Sequence, residues 1–323
     1  MMLASAAGID VGKFNLDVGI APSGRRFRLS NDAAAIGRLA SRLHREGVQR
    51  VVLEAIGPYA WLAVRTLRQA GFEVGIVNPR RIKGFREAEG RRAKTDKLDA
   101  GLIARFALQM GDDLHSIPDE RQQALKGLAT RRRQIVELAA MEKTRLKQAP
   151  DELIAQSHRS LIHLLNEERK RIETEITFHL KADQQLMRRY DLLVSIPGIG
   201  PQVATTLITD LPELGGTDRR SIASLAGLAP HPTQSGTAPP RNQIGGGRPC
   251  VRAALYMAGL VASRCHPQFK ADYRAIRSQG KPAKVAIVAI SRKLLVLANA
   301  LVRKNRPYDP SYFPALTINT VAG

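Results

Sequence analysis

The sequence predicts an α/β domain at the N-terminus followed by a mostly α-helical remainder. Three observations lead there. Short β-branched runs alternate with helical stripes as far as Val77. From Asp119 to Arg189 the pattern is helical and heavily charged. Helical patterning resumes after Pro249 and runs to Lys304.

In order, Ala7 to Asp10, Leu16 to Ala21 and Arg26 to Leu29 read as strands, with Pro22-Ser23-Gly24 as a turn. Asn31-Asp32 caps a helix running to about Glu46. Arg50 to Glu54 is a buried strand, Tyr59 to Ala70 a helix ended by Gly71, and Phe72 to Val77 another strand. The resulting order, βββαβαβ, is that of a ribonuclease H fold. Pro79 to Lys97 reads as a loop in which eight basic residues outweigh three acidic ones. Its place directly before Asp96 and Asp99 suits contact with phosphates.

Between Asp119 and Arg189, Leu125, Leu128, Ile135 and Leu138 form one apolar stripe, Pro150 breaks the segment, and Leu161, Leu164, Leu165 and Ile172 form a second. Two long helices of this kind read as an antiparallel or coiled-coil arm, a common dimerisation element, or as a bundle without a partner. Ser195 to Ala204, with Pro197-Gly198-Ile199-Gly200 at its centre, has the form of a helix-hairpin-helix, whose turn amides hold a DNA phosphate. Ala229 to Pro249, rich in proline and glycine, reads as a loop. Val251 to Ser263 and Ala283 to Lys304 read as helices.

The 323 residues suffice for two domains, and the net charge of +21, with 44% apolar residues, points to a polyanionic partner. The basic residues Arg80, Arg81, Lys83, Arg91, Arg92, Lys94, Arg131, Arg132, Arg133, Arg241, Arg248 and Arg252, with the turn glycines Gly198 and Gly200, are the candidates for nucleic-acid contact. Cys250 and Cys265 form no zinc spacing and no disulfide framework. Residues 1 to 7 lack the pattern of a signal peptide. Arg292 and Lys293 interrupt the apolar run from Val285 to Val302, which favours a packed helix over a membrane span. These features predict a cytoplasmic, nucleoid-associated protein.

Asp10, Glu54, Asp96 and Asp99 are the candidate metal ligands. Asp10 and Glu54 end predicted strands, and the spacing of three puts Asp96 and Asp99 on one helix face. Each alone is an ordinary cap or ion-pair residue. Together they suit hard divalent cations and phosphodiester chemistry, since clustered carboxylates repel unless a cation lies between them. Ser235, beside Gly236, is by local chemistry a bland turn residue. The Gly245-Gly246-Gly247 triplet lacks the lysine and spacing of a phosphate-binding loop.

Taken together, Gly8-Ile9-Asp10-Val11, Leu53-Glu54-Ala55-Ile56-Gly57, Val77-Asn78-Pro79, Lys94-Thr95-Asp96-Lys97-Leu98-Asp99-Ala100, Ile196-Pro197-Gly198-Ile199-Gly200 and the tract from Leu225 through Ser235-Gly236 to Tyr256 resemble the insertion-sequence 110 family of DEDD transposases, related to Piv-type DNA invertases. The resemblance implies a RuvC-like metal-binding nuclease domain at 1–118, a helical coiled-coil arm at 119–190, and a transposase domain with the helix-hairpin-helix at 191–323. It implies that Asp10, Glu54, Asp96 and Asp99 bind Mg2+ and that Ser235 is a nucleophile forming a phosphoserine link to DNA. It also implies an element-encoded guide, the bridge RNA, pairing with donor and target double-stranded DNA. Dimers and tetramers are expected, in which one protomer's carboxylates meet another's serine.

Three other readings compete. A structure-specific, Holliday-junction-type endonuclease would use the same acids with water as nucleophile. An actin-like ATPase or sugar kinase would use Gly8 to Lys13 as a phosphate turn, but no second phosphate loop is evident. A non-catalytic nucleic-acid-binding protein would tolerate loss of Asp10 and Glu54.

Overall fold

A computed structural model of the chain describes residues 5–54, 57–90, 96–109, 120–233 and 241–310; at 57–58, 80, 96–99, 120, 231–233 and 241–243 it describes backbone alone. The chain divides into two compact units, Met1–Pro118 and Asp119–Gly323.

The first unit is a mixed α/β layer built on a five-stranded sheet. Strands β1 (Ala6–Val11), β2 (Asn15–Ala21) and β3 (Arg26–Ser30) form an antiparallel meander. Strands β4 (Arg50–Glu54) and β5 (Glu73–Val77) lie parallel to β1, giving the order β3-β2-β1-β4-β5. Period-two alternation sends Ala7, Ile9, Val11, Leu16, Val18, Ile20, Val51 and Leu53 to one face. That face is covered by α1 (Ala33–Arg45), through Ile36, Leu39 and Leu43, and by α2 (Trp61–Gln69), through Ala63, Val64 and Leu67. Asp32 caps α1 by accepting from the Ala35 amide at 2.8 Å.

The opposite face carries Ala6, Val52 and Val77 and is covered by α3 (Pro79–Ala88) and α4 (Asp96–Gln109). Helix α3 corrects the expectation of a loop after Pro79. Ile82 and Phe85, three apart in a basic segment, turn inward, and Phe85 meets Phe106 of α4 edge-on at 5.5 Å. Burial of a side chain such as Ile82 is worth about 1.5–3 kcal/mol, enough to order one amphipathic turn. Arg105 of α4 then forks onto Glu89 at 3.1 and 2.9 Å.

The docking of α4 depends on two glycines paired across β1 and β2, Gly8 and Gly19. A Cβ on Gly8 would stand 2.5 Å from the Ala100 carbonyl oxygen, and one on Gly19 would stand 2.7 Å from the Gly101 amide nitrogen. Helix backbone therefore rests directly on strand backbone. Arg50, at the start of β4, donates to the Ala107 carbonyl at 3.5 Å. The helix thus descends towards the start of β4, and its first turn lies towards the strand ends that bear Asp10 and Glu54.

The second unit is almost wholly helical. Helices α5 (Glu120–Leu146) and α6 (Glu152–Lys181) form an antiparallel pair, tied by Arg132–Glu173 and by His158–Glu142, both at 2.7 Å. Asp151 caps α6, so the predicted break at Pro150 falls between the helices. The paired helices are not a free-standing arm throughout. Leu125, Ile135, Ile172, Ile176 and Leu180 share one core with α7 (Gln184–Val194), α8 (Pro201–Asp210), α10 (Pro249–Cys265) and α12 (Ala283–Lys304). Two further helices, α9 (Arg219–Leu225) and α11 (Pro267–Ser278), complete the unit.

The segment expected to be all loop contains an antiparallel hairpin, β6 (Pro230–Thr233) with β7 (Arg241–Ile244). Cross-strand pairing supplies order that composition did not predict. Helix α12 is long and apolar enough to cross a bilayer by composition, with a hydropathy of 2.0, yet it is the central core helix here. Its buried Asn299 accepts from the Gly215 amide at 2.7 Å and donates to the Thr217 carbonyl at 2.9 Å. A lipid-facing helix would have no use for so specific a polar tie.

Candidate active site and nucleic-acid surface

Asp10 and Glu54 are direct neighbours in the parallel ladder between β1 and β4. Asp10 continues the Ala6-Gly8 row and Glu54 follows Val52, so alternation puts both carboxylates on the face covered by α4. Both are half-buried. Adjacent strands lie about 4.8 Å apart, which brings the two side chains within reach of one cation. Two carboxylates from neighbouring rigid strands are a fitting donor set for a hard divalent ion that keeps further positions for water and phosphate. Among the described residues no group of three His, Cys, Asp or Glu comes together as a complete metal cage. Asp96 and Asp99 open α4, and their side chains lie outside the described atoms.

A third acid in this row escaped the reading of the sequence. Asp17 is the ladder partner of Asp10 on β2 and is buried. Like charges opposite one another are unfavourable. Arg28, its own partner on β3, forks onto both Asp17 oxygens at 2.9 and 2.8 Å. Asp17 is therefore committed to an ion pair, and the row presents Asp10 and Glu54 towards α4. The alternation Asn15-Asp17-Gly19 against Leu16-Val18-Ile20 was the available signal.

In the second unit, the turn between α7 and α8 holds Gly198 at φ +90°, and a Cβ there would stand 2.7 Å from the Ala258 carbonyl oxygen of α10. Gly198 is thus demanded by its left-handed backbone and by packing. Gly200 caps α8. Ser235 lies outside the described residues, two past the end of β6. The hairpin's return is anchored. Arg248 forks onto Glu213 with both bonds at 2.6 Å, which raises the Arg248 pKa, and Arg252 donates to the Gly246 carbonyl at 2.8 Å.

The basic candidates divide by what they touch. Arg132 meets Glu173, and Arg133 meets the buried Asp210 of α8 at 2.6 Å. With Arg248 they tie helices together. Lys83 is 73% exposed, with Glu87 only at 3.9 Å, and Arg131 is exposed. Arg81 stands over the Phe106 ring at 5.3 Å. Arg91, Arg92 and Lys94 lie outside the described residues, as do the side chains of Arg80 and Arg241. Arg133→Gln is expected to lower stability by about 2 kcal/mol, because it strands a buried carboxylate. Unchanged thermal unfolding with weakened DNA binding would instead assign Arg133 to a phosphate.

Comparison with known proteins decides the family. Residues 7–155 match the family model of the IS110 DEDD transposases, and residues 190–274 that of the IS116/IS110/IS902 transposases. The chain belongs to the IS110 family of transposases. Residues of both units of this IS110-family chain are therefore matched. A pilin gene-inverting protein of Moraxella bovis is 29% identical over 263 residues, covering 80% of this chain and 81% of the relative. The IS900 42 kDa protein of Mycobacterium paratuberculosis is 26% identical, covering 72% and 60%. The IS110 43.6 kDa protein of Streptomyces coelicolor is 23% identical, covering 95% and 96%. This IS110-family member is accordingly an enzyme of DNA transposition and recombination.

Proposed function

We propose that the chain is an RNA-guided recombinase that cuts, exchanges and rejoins DNA strands through a phosphoserine link at Ser235. The observation that carries the nuclease half is the in-register pair Asp10 and Glu54 beneath α4. The strand order, a meander followed by two strands parallel to β1, supports a RuvC-like, ribonuclease H assignment for the first unit. Family membership supports the serine, which lies within the residues matched by the second family model.

Magnesium, held by Asp10 and Glu54 with Asp96 and Asp99, would polarise the scissile phosphate and favour the serine alkoxide. The Ser235 oxygen bonds to phosphorus as the bond to the leaving sugar oxygen breaks, and the leaving hydroxyl takes up the serine proton. The phosphodiester is conserved in the seryl ester, so a sugar hydroxyl of another strand reverses the step without ATP. The surplus of basic residues, net +21, supports binding of DNA and of a bridge RNA through their backbones. Base pairing with that RNA would then choose the sequence. The exposed Leu153, Leu161 and Leu164 of α6 support self-association.

The test is a trapping assay with donor and target duplexes, element-derived RNA and magnesium. A denaturant-stable protein–DNA adduct is expected, lost in Ser235→Ala and after ribonuclease treatment. Magnesium-dependent nicking that leaves no adduct and survives Ser235→Ala would establish the competing endonuclease with water as nucleophile.

A further inference from the structure

The turn that follows Asp10 carries an exposed aromatic ring on a fixed backbone. Phe14 is 70% exposed, unlike every other phenylalanine of this unit's core. Its main chain is held rigidly. The Gly12 amide donates to the Asn15 carbonyl at 2.9 Å, and the Asn31 amide donates to the Phe14 carbonyl at 2.8 Å. The Asn31 side chain bridges this turn to the segment after β4, donating to the Gly12 and Tyr59 carbonyls, each at 3.0 Å. Tyr59 is itself 43% exposed. One asparagine thus ties together two exposed rings, each a few residues beyond one of the paired carboxylates. Lys13 adds a cation, its Nζ 4.9 Å from the Phe14 ring centroid.

We infer that Phe14, assisted by Tyr59 and Lys13, is a stacking platform for an unpaired nucleobase adjoining the phosphate held at Asp10 and Glu54. Exposing a phenyl ring to water is unfavourable, and tethering its turn by two backbone hydrogen bonds and the Asn31 side chain makes it a preformed surface. A nucleobase offers a flat π face to the ring, and its phosphate offers a charge to Lys13. Strand exchange requires bases that have left their duplex partners, and such bases need a surface on which to restack. The inference rests on the proposed function, because the adjoining phosphate is the one that reading places at the carboxylates. No base-specific group is involved, so the platform takes any sequence and favours purines through their larger stacking area.

The experiment uses the full-length protein carrying Ser235→Ala, which removes the proposed nucleophile and leaves both carboxylates in place, and single-stranded oligonucleotides bearing 2-aminopurine at successive positions. Binding is followed by anisotropy and stacking by 2-aminopurine fluorescence. Expected is quenching of 2-aminopurine on binding, lost in Phe14→Ala with roughly tenfold weaker binding, and restored in Phe14→Trp. Because Phe14 is exposed, the Ala variant keeps the parent's thermal unfolding, which is checked alongside. Equal quenching and affinity in Phe14→Ala would overturn the platform. So would a change of oligomeric state in Phe14→Ala with oligonucleotide binding untouched, which would assign the ring to a second copy of the chain. Either failure leaves the adduct at Ser235 unaffected, and absence of that adduct with quenching intact would overturn the recombinase reading alone.

Discussion

Asp10→Asn and Glu54→Gln are each expected to reduce DNA strand cleavage by about 10²- to 10³-fold, the scale of removing one preorganised electrostatic group from a transition state. The two carboxylates are ladder partners on neighbouring strands, so both serve one site. Asp17, the other acid in the row, is held on both oxygens by Arg28. A binding measurement separates chemistry from folding. Magnesium at about 100 times its dissociation constant stabilises a protein that binds it in the folded state by about 2.7 kcal/mol. The parent protein should show that rise in Tm, and the Asp10→Asn protein should lose it. Full cleavage by both variants would remove the carboxylates from the mechanism and favour a non-catalytic nucleic-acid-binding role for the first unit.

Gly8→Ala is expected to be the most damaging single-methyl addition in the first unit. Its Cβ would enter the backbone of α4 at Ala100 and Ala104, where no flexible side chain can yield. Overpacking of a rigid core typically costs about 1–3 kcal/mol, and contact with helix backbone places this case at the upper end. Cleavage should fall as well, because the helix displaced is the one whose first turn carries Asp96 and Asp99. Gly37→Ala is the control. Gly37 lies in α1 with nothing within 4 Å of an added Cβ, so the change should stabilise by about 0.5–1 kcal/mol through helix propensity. A Gly8→Ala protein that melts with the parent would contradict the close docking of α4.

Much of the first unit was legible along the chain. The alternation in Leu16-Asp17-Val18-Gly19-Ile20, the Asp32 cap and the stop at Gly71 each involve residues a few positions apart. Where a segment's structure depends on distant partners, the reading fell short. Pro79 to Ala88 looked like a basic loop because only two apolar residues, Ile82 and Phe85, mark its inner face. They form a helix because Val52 and Phe106, remote in sequence, and the neighbouring Val77 offer a surface to cover. The hairpin of β6 and β7 was missed for the same reason, the two prolines of β6 giving that strand a low intrinsic preference for pairing. Among the basic candidates, sequence could not separate Arg133, spent on Asp210, from Lys83, which faces solvent.

The sequence by itself determined the βββαβαβ order, the positions of the turn glycines and the basic surplus, because periodicity, capping and composition are local properties. Tertiary structure alone decided that Asp10 and Glu54 stand side by side on one face, that Asp17 is withdrawn by Arg28, and that α4 reaches the sheet through Gly8 and Gly19. It also decided that Phe14 remains in solvent, on the turn that follows Asp10. Strand register, burial and ion pairing join residues far apart in the chain, and the free energy of each contact depends on partners that only the folded molecule brings together.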